Sequence, residues 1–139
     1  MRRKLFLLIL LVSTNFLFSQ TKAKDLIIKA QEFESISKTI EYLQEQIKIN
    51  NDVTEKRALY IFLASIQEQS AFFDEARDNY AKAASFSCGD ADGMPKKTNE
   101  QLVLDAVRCS LNSGDYSTAE KYLNSSVRNS KSETIQSNI

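Results

Sequence analysis

Apolar residues recur at intervals of three and four along most of the chain, from Lys22 to about Val127. This spacing places them on one face of an α-helix, whereas a half-buried strand would alternate apolar and polar residues. The 139 residues include only three Gly and one Pro, so few positions favour the tight turns of an all-β fold. The sequence therefore predicts one all-α domain.

Breaks in this spacing divide the helical region into six segments. Polar or turn-forming residues separate the segments at 31–32, 50–52, 70–71, 88–95 and Gly114. Consecutive segments pair most simply as three helical hairpins, at about 22–49, 53–87 and 98–128. We therefore expect one helical domain over residues 20–129. The polar residues 130–139 are predicted to be a tail that is disordered or begins a further helix.

Local signals indicate where some of these helices begin and end. Asp52 is followed three residues later by Glu55, and Thr98 by Gln101, which is the spacing of an N-terminal capping box. Gly114 stands where a helix is expected to end on a residue with positive φ.

The second helices of the last two hairpins resemble each other. Residues 73–80 read Phe-Asp-Glu-Ala-Arg-Asp-Asn-Tyr and residues 116–123 read Tyr-Ser-Thr-Ala-Glu-Lys-Tyr-Leu. In both, an aromatic residue precedes a small alanine, Ala76 or Ala119, by three positions. Ile36 takes the corresponding place in the first hairpin, so we interpret the chain as an internal repeat.

This repeat resembles the tetratricopeptide-repeat family. Residues 57–88 match the family pattern at Tyr60, Leu63, Ala64, Phe73, Ala76, Tyr80 and Ala83, and residues 100–127 match it at Gly114, Tyr116, Ala119 and Leu123. Residues 21–48 match loosely. Gln67 and Cys88 depart from the pattern, and about nine extra residues before the last copy depart from the 34-residue period.

The resemblance implies a right-handed α-solenoid of about three antiparallel hairpins. The small side chains of Ala76 and Ala119 would let helix backbones approach closely. Phe73, Tyr80 and Tyr116 would fill the space between neighbouring hairpins, which share a continuous core when stacked. An unrelated helical bundle with the same core residues is the alternative.

The first nineteen residues have the layout of a secretory signal peptide. Basic residues at 2–4 precede the apolar run 5–12, and cleavage is expected after Ser19. The alternative is an uncleaved anchor, but the apolar segment of about 14 residues is shorter than the roughly 20 needed to span a membrane. We therefore expect export, most plausibly to a bacterial periplasm, otherwise secretion or display at the cell surface.

Composition argues against catalytic, metal and nucleic-acid chemistry. The chain has no His, which is the commonest general base and metal ligand. Removal of residues 1–19 leaves 15 basic and 18 acidic residues, a balance that does not suit a phosphate backbone. We therefore expect a chain that is not an enzyme, uses no cofactor or metal, binds no nucleic acid and has no membrane span after cleavage.

The two cysteines, Cys88 and Cys109, are candidates for a disulfide in an oxidising compartment. Two buried free thiols are the alternative. The turn-rich segment that begins at Cys88 contains Asp90 and Asp92 but lacks the ligands of a calcium loop, with Cys88 at the first position and Asn99 at the twelfth. It is interpreted as a solvated connector.

The tetratricopeptide resemblance also implies a concave surface lined by the first helix of each hairpin. Its partner-binding positions would be Ile61, Ser65, Glu68, Gln69, Leu104, Arg108, Leu111 and Asn112. These residues lack the Lys/Asn/Arg clamp by which some family members hold a terminal carboxylate. The predicted function is a non-catalytic module that binds a peptide or protein there, unless its own tail covers the face. The alternative is a structural subunit of a cell-envelope complex that docks on other proteins, or self-associates as a homo-oligomer, through an uncapped last hairpin.

Overall fold

The computed structural model describes residues 21–137, and the predicted signal peptide lies outside them. Within that range the chain forms helices and no strands, so the all-α prediction is confirmed. The helices are α1 (Ala23–Ala30), α2 (Ile36–Ile49), α3 (Val53–Gln69), α4 (Phe73–Ala84), α5 (Asn99–Ser113) and α6 (Tyr116–Ser137). Helix α6 therefore continues through most of the segment that the sequence suggested as a tail.

Each helix packs on the next one along the chain, and α1 also packs on α3. Two apolar clusters result. The first joins α1, α2 and α3 as far as Leu63, while the second joins α3, α4 and α5. Ala64 and Ala76 are fully buried in the second cluster, where small side chains allow helices to lie close together. Ala119 is also buried, as expected.

The helix ends follow the local signals with one change. Thr98 and Gln101 form a complete capping box, and Gly114 ends α5 at φ 80°. Asp52 caps α3 by accepting from the backbone N–H groups of Thr54 and Glu55. The Glu55 side chain turns inward instead of completing a box, and it accepts a 2.6 Å hydrogen bond from the N–H of Ala23 at the start of α1.

Two residues of the repeat pattern lie in the wrong environment for the expected packing. Tyr116 is 70% exposed, because an aromatic side chain fills a wedge only when helices supply both walls, and no described helix packs beyond α6. Ile36 is exposed at the first position of α2. The buried face of that helix begins with Thr39, whose hydroxyl donates to the carbonyl oxygen of Ala30.

Candidate partner-binding groove

The segment between α4 and α5, residues 85–98, folds back onto α3, and we call it the strap. Ala91 is buried within the first apolar cluster, and Met94 packs against the same cluster. The chain turns at Gly93, which has φ 73° and lies beside the side chain of Lys24 in α1. The segment is therefore exposed at several positions, as a solvated connector would be, but Ala91 and Met94 anchor it to the core.

A buried arginine of α3 holds the strap in place. The Arg57 side chain is 2% exposed. Its Nη1 donates to Asp90 Oδ1 at 2.9 Å, and its Nη2 donates to the carbonyl oxygen of Lys97 at 2.6 Å and to Asn99 Oδ1 at 2.9 Å. The same Asp90 oxygen accepts from the N–H of Lys97 at 3.1 Å. A buried cation needs such partners to offset its loss of hydration, so the strap and Arg57 stabilise each other.

Sequence reasoning missed this network, although one signal could have found it. Arg57 lies one turn before Tyr60 and Ile61 in a helix whose neighbouring positions are mostly buried. A charged residue in such a register needs an acidic partner from elsewhere in the chain. The aspartates of the strap, at 90 and 92, were among the acidic residues predicted to lie outside regular helices.

A cavity of about 220 Å³ lies between the strap and α3. Its wall is largely apolar, with cationic groups of Arg57 and Lys97 among its polar groups. The lining residues are Arg57, Ala58, Ile61, Phe62, Ser65, Tyr80, Asp90, Ala91, Met94, Pro95 and Lys97. Ile61 and Ser65, both predicted partner-binding residues, thus line a cavity whose other wall is the strap.

A second charged network joins α3 to α5 at the surface. Arg108 donates to both carboxylate oxygens of Glu68, from Nε at 2.7 Å and from Nη2 at 2.9 Å. Its Nη1 donates to Asp105 at 2.6 Å, and Asp105 also forms an ion pair with Lys97 of the strap. The phenol of Tyr80 donates to Glu68 at 2.9 Å. The network therefore links the predicted surfaces of α3 and α5.

These contacts change the acidities of the groups involved. The hydrogen bond from Arg108 lowers the pKa of Glu68, although burial acts in the opposite direction. The same bond raises the pKa of Arg108, which stays a cation. Burial, followed by the hydrogen bond to Glu68, raises the pKa of Tyr80 far above its ordinary value. None of these groups is shifted toward neutral pH, where a general acid or base works best.

A shallow depression on α5 adjoins the cavity and shares Lys97 with it. It is lined by Lys96, Lys97, Gln101, Leu104, Asp105 and Arg108. Leu104 is 51% exposed, and Leu111, two turns further along α5, is 48% exposed. We use the name groove for three adjoining parts of the surface. They are the cavity, this depression, and the exposed side of α5 from the depression to Leu111.

The structure thus brings together some of the eight predicted partner-binding residues. Glu68 and Arg108 are in direct contact, while Leu104 and Arg108 line the same depression. Gln69, Leu111 and Asn112 are exposed on their helices and line neither the cavity nor the depression.

The two cysteines are free in the structure and lie in different surroundings. Cys88, at the beginning of the strap, is half-buried, and its thiol lies 3.8 Å from the carbonyl oxygen of Val53. Cys109 is fully buried in the second apolar cluster, and burial raises the pKa of its thiol to about 11. The two thiols are thus unpaired in this structure, and a disulfide between them stays a prediction.

No group of three or more His, Cys, Asp or Glu side chains suited to a metal ion occurs in the described part of the chain. Across residues 21–137, no helix is both long enough and apolar enough to cross a membrane.

Comparison with protein-family models, curated proteins and solved structures finds no match for this chain. The tetratricopeptide resemblance therefore rests on the residues of the repeat alone.

Proposed function

We propose that this chain is an exported, non-catalytic protein-interaction module. In this proposal its helices form a tetratricopeptide-like, right-handed solenoid of about three antiparallel hairpins, and a peptide or protein partner binds in the groove. Export, in this proposal to a periplasm, rests on the basic and apolar pattern of residues 1–19.

The exposed side of α5 is the observation that carries the proposal. Leu104 and Leu111 are each about half exposed, with Arg108 between them. Single exposed leucines are common on folded proteins, but Leu104 lines a depression that adjoins a largely apolar cavity. Apolar side chains grouped around a concavity and bordered by charges are typical of interaction surfaces.

Capture of the partner in the native host tests the proposal. A C-terminally tagged full-length chain is cross-linked in the cell, and the captured species are identified by mass spectrometry. We expect one dominant foreign protein, and Leu104→Glu should abolish its capture because a charge would replace an apolar contact. The same sample gives the mature N-terminus and so tests cleavage after Ser19.

Leu123→Glu is the matched control, since Leu123 is a similarly exposed leucine on α6, away from the groove. Arg108 is left intact because its ion pairs join α3 to α5, so that changing it would alter the surfaces of both helices at once. Capture that survives Leu104→Glu, or that is lost equally in both variants, would contradict groove binding.

The outer side of α6 favours a second candidate, a structural subunit of a cell-envelope assembly. Tyr116 and Leu123 are exposed there, and no described helix covers them. Solenoids bury such terminal faces with a capping element or with a neighbour. Cross-linking that captures only further copies of the chain, together with a solution mass that rises with concentration and falls in Leu123→Glu, would favour this candidate over the groove.

A further inference from the structure

We infer that the groove selects an internal segment of its partner in which acidic residues flank a large apolar residue. This inference rests on the proposed function and specifies the chemistry of the partner. The apolar side chain would enter the cavity between the strap and α3, and the acidic side chains would lie over the cations of the strap and α5.

The cavity accounts for the apolar residue. Its wall includes Ile61, Phe62 and Met94, and Ser65 lies in the same wall. A largely apolar cavity of about 220 Å³ is small for a drug-sized ligand, since such pockets hold roughly 300–1,000 Å³. It suits one inserted side chain better than a whole small molecule.

The charges around the groove account for the acidic residues. The carboxylates of Glu68, Asp90 and Asp105 are each less than one-third exposed, and all three accept from neighbouring cations or N–H groups. Their negative charge is therefore largely compensated within the protein.

The cations of the groove reach further into solvent. The Arg108 side chain is 51% exposed and uses three of its five N–H groups in bonds to Glu68 and Asp105. Lys96 is exposed and makes no hydrogen bond or ion pair with any described residue.

The net charge of this surface is opposite in sign to that of residues 20–139 as a whole. Residues 20–139 carry 15 basic and 18 acidic residues, yet the groove exposes Lys96 and Arg108 above compensated carboxylates, with Lys97 half-buried between them. Electrostatic complementarity across an interface favours the partner of opposite sign and disfavours the like-charged one. An acidic segment therefore fits the groove better than a basic or neutral one.

A peptide selection with the chain purified from its host tests this inference. The library displays random segments inside a longer sequence, so that no free terminus can be selected. We expect the enriched peptides to carry Asp or Glu on both sides of a large apolar residue. Repeating the selection with Lys96→Glu should remove the acidic enrichment. Lys38→Glu makes the same charge change at an exposed site on α2 outside the groove and should leave the enrichment unchanged.

Binding of an enriched peptide, capped at both ends, to two variants then tests the cationic surface and the cavity separately. Lys96→Glu should weaken its binding about fivefold, and added salt should reduce that difference, because exposed charges are screened. Ser65→Leu, which fills part of the cavity, should weaken binding about tenfold at low and high salt alike. Thermal unfolding of each variant verifies that the fold is retained.

Enrichment of basic or neutral peptides, or no enrichment, would overturn the inferred chemistry of the partner. Equal effects of Lys96→Glu and Lys38→Glu would also overturn it. Neither result would affect the capture test with Leu104→Glu, which tests groove binding whatever the charge of the partner.

Discussion

Two arginines connect α3 to the rest of the molecule, and they do so in opposite environments. Arg57 is 2% exposed and binds Asp90 and two groups at the end of the strap. The Arg108 side chain is 51% exposed and binds Glu68 and Asp105. The bond lengths are similar, at 2.6–2.9 Å, so the difference between the networks is burial rather than geometry.

Burial gives the two networks different roles. A buried guanidinium that loses its partners cannot be rehydrated without local unfolding, so Arg57 fixes the position of the strap. An exposed guanidinium is hydrated whether or not its ion pairs form, so Arg108 contributes little to stability and remains able to meet a partner. One wall of the groove, the strap, is thus held in place by the buried Arg57. The other wall, α5, carries the exposed Arg108.

The largest expected effect is that of Arg57→Ala. It leaves Asp90, the carbonyl of Lys97 and the side chain of Asn99 without their donor, and it opens a space beneath the strap. Loss of one member of a buried charged network typically costs about 3–5 kcal/mol. Urea unfolding should show this decrease in the free energy of unfolding, and a loss below about 1 kcal/mol would contradict the role of Arg57.

Arg108→Gln should have a much smaller effect. It removes the charge of a half-exposed side chain from its pairs with Glu68 and Asp105 and leaves an amide that can still donate to one of them. Exposed pairs contribute roughly 0.2–1 kcal/mol, and salt weakens them. We expect a decrease in that range by urea unfolding at low salt, which diminishes at high salt. A decrease as large as that of Arg57→Ala would remove the contrast between the two networks.

Acid should weaken the exposed network through Glu68. Its folded-state pKa lies below the ordinary value of 4.5, because Arg108 donates to the carboxylate. Glu68 therefore contributes stability above about pH 4.5, and this contribution is lost as the pH falls through the lowered pKa. Between about pH 5 and pH 3, Glu68→Gln should lose less stability by thermal unfolding than the natural chain does. Parallel pH profiles would show that Glu68 is not stabilised by Arg108.

The reactivities of the two thiols compare the strap with the second apolar cluster, and they are measured without any substitution. Cys88 begins the strap and is half-buried, whereas Cys109 is fully buried, with a pKa raised to about 11. In the native chain, iodoacetamide should modify Cys88 first and Cys109 only on unfolding, because the thiolate is the reactive form. Mass spectrometry distinguishes these states. A bridged pair that reacts only after reduction would restore the disulfide predicted from the sequence.

The sequence predicted the features that depend on neighbouring residues. The spacing of apolar residues predicted the six helices. The capping box of Thr98 and Gln101 predicted where α5 begins, and Gly114 predicted where it ends, because such signals act within one turn. Ala76 and Tyr80 are buried as the repeat pattern predicts.

The strap and its network were not predictable in the same way. Arg57 meets Asp90 and Lys97 across 33 and 40 positions of the chain, and its register in α3 indicates that it needs a partner but not which residue supplies it. Glu55 was likewise interpreted from its spacing to Asp52, whereas tertiary contact with Ala23 decides its orientation. The sequence could therefore predict the faces of α3 and α5 that line the groove, but it could not predict the wall formed by the strap.

Hydrogen exchange along the strap tests the central claim, that a buried charge holds this segment against α3 and so creates the groove. The N–H of Lys97 donates to Asp90, so it should exchange slowly in the natural chain. In Arg57→Ala this protection should be lost while amides in the middle of α5 stay protected. Fast exchange at Lys97 in the natural chain, or equal protection in both chains, would contradict the account.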